Sequence, residues 1–152
     1  MATATRDTVM AAILTVIQGM TFATPVTGKT TWATTGNRLR LWGDVPPDQQ
    51  PAAFLVTHSE QDEYRGLGLY RRRLELRVYC YTRSDGGPGA PDLDTIMESF
   101  EAAFNPPDNF STNSNTLGGL VYFCRIEGKT FKDPGDLDNQ TMLVVPIIVE
   151  MP

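Results

Sequence analysis

Residues 71 to 82, RRRLELRVYCYT, alternate strictly between two kinds of side chain. Leu74, Leu76, Val78 and Cys80 point one way; Arg71, Arg73, Glu75, Arg77, Tyr79 and Tyr81 point the other. A period of two demands an extended strand. One apolar face and one polar face place that strand in a sheet covered by helices on one side only. The second face is rich in Arg and Tyr, residue types that favour protein contacts over plain hydration. These six residues are therefore the candidate subunit-interface set.

The rest of the chain supplies what such a sheet needs. Residues 5 to 20 carry Val9, Met10, Ile13, Val16, Ile17 and Met20 at helical spacing, with Thr5 or Asp7 as the cap. Residues 21 to 36 read as a connection with at most a short strand, and Asn37 to Trp42 as a short strand. Ala52 to His58 is a β run, and Ser59 to Gly68 a hairpin loop or mobile arm. After a Gly/Pro loop, Pro91 opens a second helix, where its missing N–H costs nothing. Leu93, Ile96, Met97, Phe100, Ala103 and Phe104 form its stripe, and Pro106-Pro107 stops it. Leu120 to Glu127 and Thr141 to Met151 read as strands. Pro146 lacks a ladder donor, which predicts that the last strand lies at an edge or is bulged there.

The expected fold is α+β: a mostly antiparallel sheet of four to five strands with two helices packed on one face. The 152 residues read as a single domain with loops at 43–51, 59–68, 83–91 and 108–119. The 59–68 and 108–119 segments are expected to be mobile in the free subunit and to order on contact with a partner.

Composition narrows the function. A net charge of −5 is a poor basis for gripping nucleic acid, because phosphate neutralisation supplies most of that affinity. The N-terminal stretch has no uninterrupted apolar region of secretory type, and its apolar residues are too few for a membrane span. The expected site of synthesis is the cytoplasm. In that compartment Cys80 and Cys124 read as buried thiols, and the sequons at Asn109 and Asn139 as chance matches.

No chemical constellation emerges. Ala23 to Thr30, ATPVTGKT, fits a loose nucleotide-binding pattern ending in Gly28, Lys29 and Thr30. That loop needs a strand before it and a helix after it, and here a helix precedes it. A small nucleotide hydrolase using Lys29 and Thr30 is thus a minor alternative. His58, the only histidine, lacks a nucleophile elbow elsewhere in the chain. Asp133, Asp136 and Asp138 read as turn residues, since no glutamate closes a calcium-type loop. The chain is expected to have no catalytic residues, no metal and no cofactor.

Taken in order, the N-terminal helix, GDVPPDQQPAAFLV, RRRLELRVYCY, PDLDTIMESFEAAF, TLGGLVYFCRIEGK and VVPIIVE resemble the tail-terminator and tail-completion proteins of long-tailed bacteriophages, the minor tail protein U class. The resemblance runs over residues 5 to 151 and rests on layout. It implies a homo-hexameric ring on the last layer of the tail tube, which stops polymerisation and offers a docking surface to the head connector. The implied partners are further copies of the chain, the tail tube protein and the head-completion or connector protein. DNA would pass the lumen without specific binding, and the location would be the head–tail junction of the virion. The alternatives within the same class are a head-completion (neck) protein and a tail tube subunit.

Overall fold

The computed structural model describes residues 4–83, 90–105, 115–135 and 140–152. Helix α1 spans Arg6–Gln18. Thr5 caps it: its hydroxyl accepts from the Thr8 backbone N–H at 3.2 Å, while the Thr8 hydroxyl accepts from the Thr5 N–H at 2.8 Å. This reciprocal pair satisfies two donors that a helix start leaves orphaned. Helix α2 spans Ala90–Phe104 and carries Pro91 in its first turn. Pro106 and Pro107, the expected stop, lie outside the described residues.

The described strands number six, one more than the upper expectation: β1 Thr34–Gly36, β2 Ala52–Tyr64, β3 Tyr70–Arg83, β4 Phe123–Ile126, β5 Phe131–Asp133 and β6 Gln140–Met151. They form one sheet in the order β1-β2-β3-β6-β4, with β5 also on β6. Only β1 pairs in parallel; the other pairings are antiparallel. The fold is α+β, as the alternation in residues 71 to 82 required.

Both helices lie on one face. Val9, Ile13 and Ile17 of α1 and Leu93, Ile96, Phe100 and Phe104 of α2 share one buried cluster with Leu74, Leu76, Val78 and Cys80 of β3 and Leu143, Val145, Ile147 and Val149 of β6. The connection after α1 adds Phe22, Val26 and Trp32 to it, with the Phe22 and Trp32 rings edge to face at 5.0 Å. Each of the larger side chains, fully buried, contributes about 1.5–3 kcal/mol of transfer free energy.

Four local expectations are corrected. Residues 59 to 64 are strand: β2 continues past a bulge at His58 and pairs with β3 as far as Tyr64↔Tyr70. Their polarity misled because both faces of this arm are wet, so no apolar period marks it. Residues 37 to 42 form no strand; the chain there runs into a 3-10 turn at Trp42–Asp44. The first strand after α2, expected over Leu120 to Glu127, shrinks to Phe123–Ile126, and a further short strand, Phe131–Asp133, pairs with β6.

The fourth correction concerns Pro146. Strand β6 is interior, with β3 on one side and β4 and β5 on the other. Its ladder to β3 runs without a register shift from Gln140 to Met151. The Glu150 carbonyl receives the Tyr122 N–H on the β4 side, and alternation sends the Pro146 nitrogen to that same side. There β4 pairs last with Ile147 and β5 first with Val144. The missing donor therefore faces the break between two short strands, where no ladder bond is owed. Gly128, at φ 117°, turns the chain through that break, and a Cβ on it would stand 3.5 Å from the Pro146 ring.

Candidate subunit interface on the open sheet face

The face opposite the helices carries all six residues singled out from sequence, and it divides into three zones. At the first end lies a small buried cluster of Val45, Ala52, Phe54 and Tyr81, flanked by Trp42, Tyr79 and Met142. The segment 37–51 folds over this end as a cover. Its Trp42 indole donates to the Thr82 carbonyl at 3.2 Å, and its Arg40 carbonyl accepts from the Tyr81 hydroxyl at 2.8 Å. Tyr81 is only 3% exposed, and burial pushes its phenol pKa up. It is thus committed to this cover and is not presented on the surface, a correction to its place in the interface set. Three prolines made 43–51 look like plain loop; Trp42 and Val45 were the apolar signal that it packs.

The middle zone is a groove of about 470 Å3 between β3 and the β4–β5 turn. Val144, Pro146 and Tyr79 form its floor, Glu75 and Arg77 one wall, and Gly128 to Phe131 the other. Glu75 accepts from the Ser59 hydroxyl at 3.0 Å. Arg77 and Lys129 make no ion pair among the described residues. The Phe131 ring overhangs the rim and is 57% exposed.

The third zone is an ion-pair lattice near the hairpin. Arg71 pairs with Glu150, whose side chain is 9% exposed, and stacks over the Tyr122 ring at 5.8 Å. Arg73 and Arg125 share Glu127 at 3.0 and 3.3 Å, and Arg125 lies over Phe123 at 4.4 Å. Arg72, sent to the other face by alternation, pairs with Asp62 at 3.0 Å. Arg71 and Arg73 are therefore already balanced within the chain, whereas Arg77 presents an open charge.

Beyond these zones the β2–β3 arm projects with both faces in solvent. At its tip Tyr64 and Tyr70 pair across the strands with ring centroids 5.3 Å apart. Leu67 follows at φ 53°, bracketed by Gly66 and Gly68, also at positive φ. Leu67 is 98% exposed and Leu69 63%. These residues were missed from sequence. The only signal was apolar side chains inside a Gly turn, YRGLGLY, where a turn that faces solvent favours polar ones.

The remaining candidates are accounted for by local structure. In ATPVTGKT, Val26 and Lys29 bond to each other through both backbone groups, with Thr27 and Gly28 at positive φ between them. That is a two-residue hairpin turn, and no helix follows it. The Lys29 ammonium is tied to the chain: it donates to the carbonyls of Asp48 at 2.7 Å and Gln50 at 3.1 Å. His58 sits exposed at the β2 bulge. Asp133 closes a turn by accepting from the Gly135 N–H at 3.0 Å; Asp136, Asp138 and both sequon asparagines lie outside the described residues. Cys80 and Cys124 are buried free thiols. They pair with Leu143 and Val149 on opposite sides of β6, so β6 lies between them and they cannot bond to each other.

Among the described residues no three His, Cys, Asp or Glu side chains are grouped to hold a metal, and no helix is long and apolar enough to cross a membrane. Comparison with protein-family models and with curated proteins finds no match for this chain.

Proposed function

We propose that this chain is a structural subunit that works by packing against copies of itself, and that its role is that of a phage tail terminator. The observation that carries this reading is the open sheet face. A helix-backed sheet leaves a groove with an apolar floor and an Arg77 unpaired among the described residues, on the face opposite α1 and α2, beside an arm with an apolar tip. Such surfaces mark protein contacts. The layout of helices and strands adds the specific role: a ring, hexameric by that resemblance, that caps the tail tube, ends its growth and receives the head connector. The net charge of −5 fits a lumen that lets DNA pass without holding it.

The test is electron microscopy of the purified protein with tail tube protein. A terminator gives closed rings seated at tube ends and shortens the tubes as its concentration rises. Long filaments of the protein alone assign it instead to the tube, and rings that bind connector but ignore tubes assign it to the neck. A chain that stays monomeric and never meets a tube end refutes the proposal.

A further inference from the structure

The arm and the groove are two unlike features of one chain, and no described residue fills the groove or covers the tip. The arm tip presents Tyr64, Leu67, Leu69 and Tyr70, each more than half exposed. Together they show apolar area on the order of 500 Å2, the size at which an exposed patch marks a contact site. The groove offers the opposite shape, a concave floor of Val144 and Pro146 under the Phe131 ring. Its volume of about 470 Å3 accommodates two or three large side chains. The arm cannot reach its own groove. Tyr70 stands seven residues from Arg77 on one continuous strand, so the two lie roughly 23 Å apart and are held there by the ladder.

We propose that the arm of one copy docks in the groove of the next. Charge permits this pairing: residues 60–72 carry Glu60, Asp62 and Glu63 against Arg65, Arg71 and Arg72, so the arm is neutral and its acids can exchange partners. The groove walls carry Arg77 and Lys129, unpaired among the described residues, against Glu75 alone. The arm brings Asp62 and Glu63 just behind its tip, with side chains 52% and 58% exposed. They are held only by exposed pairs to Arg72 and Arg65, and such pairs are weak enough to exchange partners. Lys132 also lines the groove, but its ammonium is paired with Asp94 of α2 at 3.4 Å. The contact is heterologous: tip meets groove, never tip meets tip. A contact of that kind repeats head to tail and closes into a ring when its rotation divides a full turn. The inference deepens the ring reading by naming its subunit contact, and rests on that reading only for closure.

Two disabled chains test it. In the arm variant Leu67→Asp with Leu69→Asp, the tip is made polar; in the groove variant, Phe131→Asp with Lys129→Glu, the rim is. All four positions are exposed, and circular dichroism with thermal melting of each variant verifies the fold. Sedimentation of the wild type should show a closed oligomer. Each variant alone should self-associate roughly thirtyfold or more weakly, as loss of a hot spot does. Mixed, the two should form a 1:1 heterodimer and nothing larger, because one intact tip then meets one intact groove. The proposal is overturned if the wild type is monomeric, if either variant assembles as the wild type does, or if the mixture stays monomeric. Heterodimers together with failure to cap tubes would leave the contact standing and remove the terminator role. Tube capping by the arm variant would do the reverse.

Discussion

Lys29 decides between a strut and a phosphate ligand, and the two give opposite results on one substitution. In Lys29→Ala two hydrogen bonds vanish. The bond to the Asp48 carbonyl is exposed, and water replaces most of it, so its loss costs about 0.5 kcal/mol. The bond to the Gln50 carbonyl is half-buried and charge-assisted, worth about 1.5 kcal/mol or more when left unmade. Thr27 Oγ1 also donates to that carbonyl, at 3.3 Å, and cushions the loss to about 1 kcal/mol. The sum, about 1.5 kcal/mol, corresponds to a fall of roughly 3–6 °C in melting temperature for a domain of this size. Melting followed by circular dichroism reads it directly. In the same assay Mg-ATP is expected to leave the wild-type midpoint unchanged. A phosphate loop would instead gain about 2.7 kcal/mol at a hundredfold excess over Kd, and Lys29→Ala would abolish that gain. A Lys29→Ala chain as stable as wild type, with an ATP-dependent rise in wild type alone, would refute the strut.

Three further outcomes follow from the geometry. Phe100→Ala empties a fully buried site between Trp32 and Phe104, whose ring centroids each lie 6.1 Å away, and should cost about 3–5 kcal/mol in urea unfolding. Arg77→Glu should leave stability within about 0.5 kcal/mol, since Arg77 makes no ion pair among the described residues, yet weaken assembly in a salt-dependent way; assembly unchanged at low salt would assign the groove wall to solvent. Burial pushes the Cys80 thiol up and the Cys124 thiol up to about 12, so both favour their protonated form in the fold. That contribution to stability is complete below the ordinary thiol value near pH 8.5 and is lost as pH rises towards 12; Cys124→Ala should flatten this alkaline limb of a stability–pH curve.

What could be read from the chain depended on one-sided burial. Residues 71 to 82 alternate because one face meets the core, so strand, facing and fold class were legible together. The stripe from Leu93 to Phe104 and the cap at Thr5 were legible for the same kind of reason: their partners lie within a turn or two of the chain. The 59–64 half of the arm was hidden because neither face is buried, and a strand wet on both sides leaves no period. Alternation settles which face Tyr81 is on but not its burial, because the segment that covers it arrives from about forty residues upstream.

Pro146 shows the division most clearly. Local chemistry demanded a place where one backbone donor is not needed, and the sequence alone determined that much. Edge, bulge or gap all meet the demand, and the choice among them rests on where β4 stops and β5 starts. Those are long-range pairings set by packing across the sheet, as is the distance that keeps the arm tip from its own groove. Period and capping are properties of neighbours in the chain; the unfilled groove and the unpartnered tip exist only once distant strands have been brought side by side.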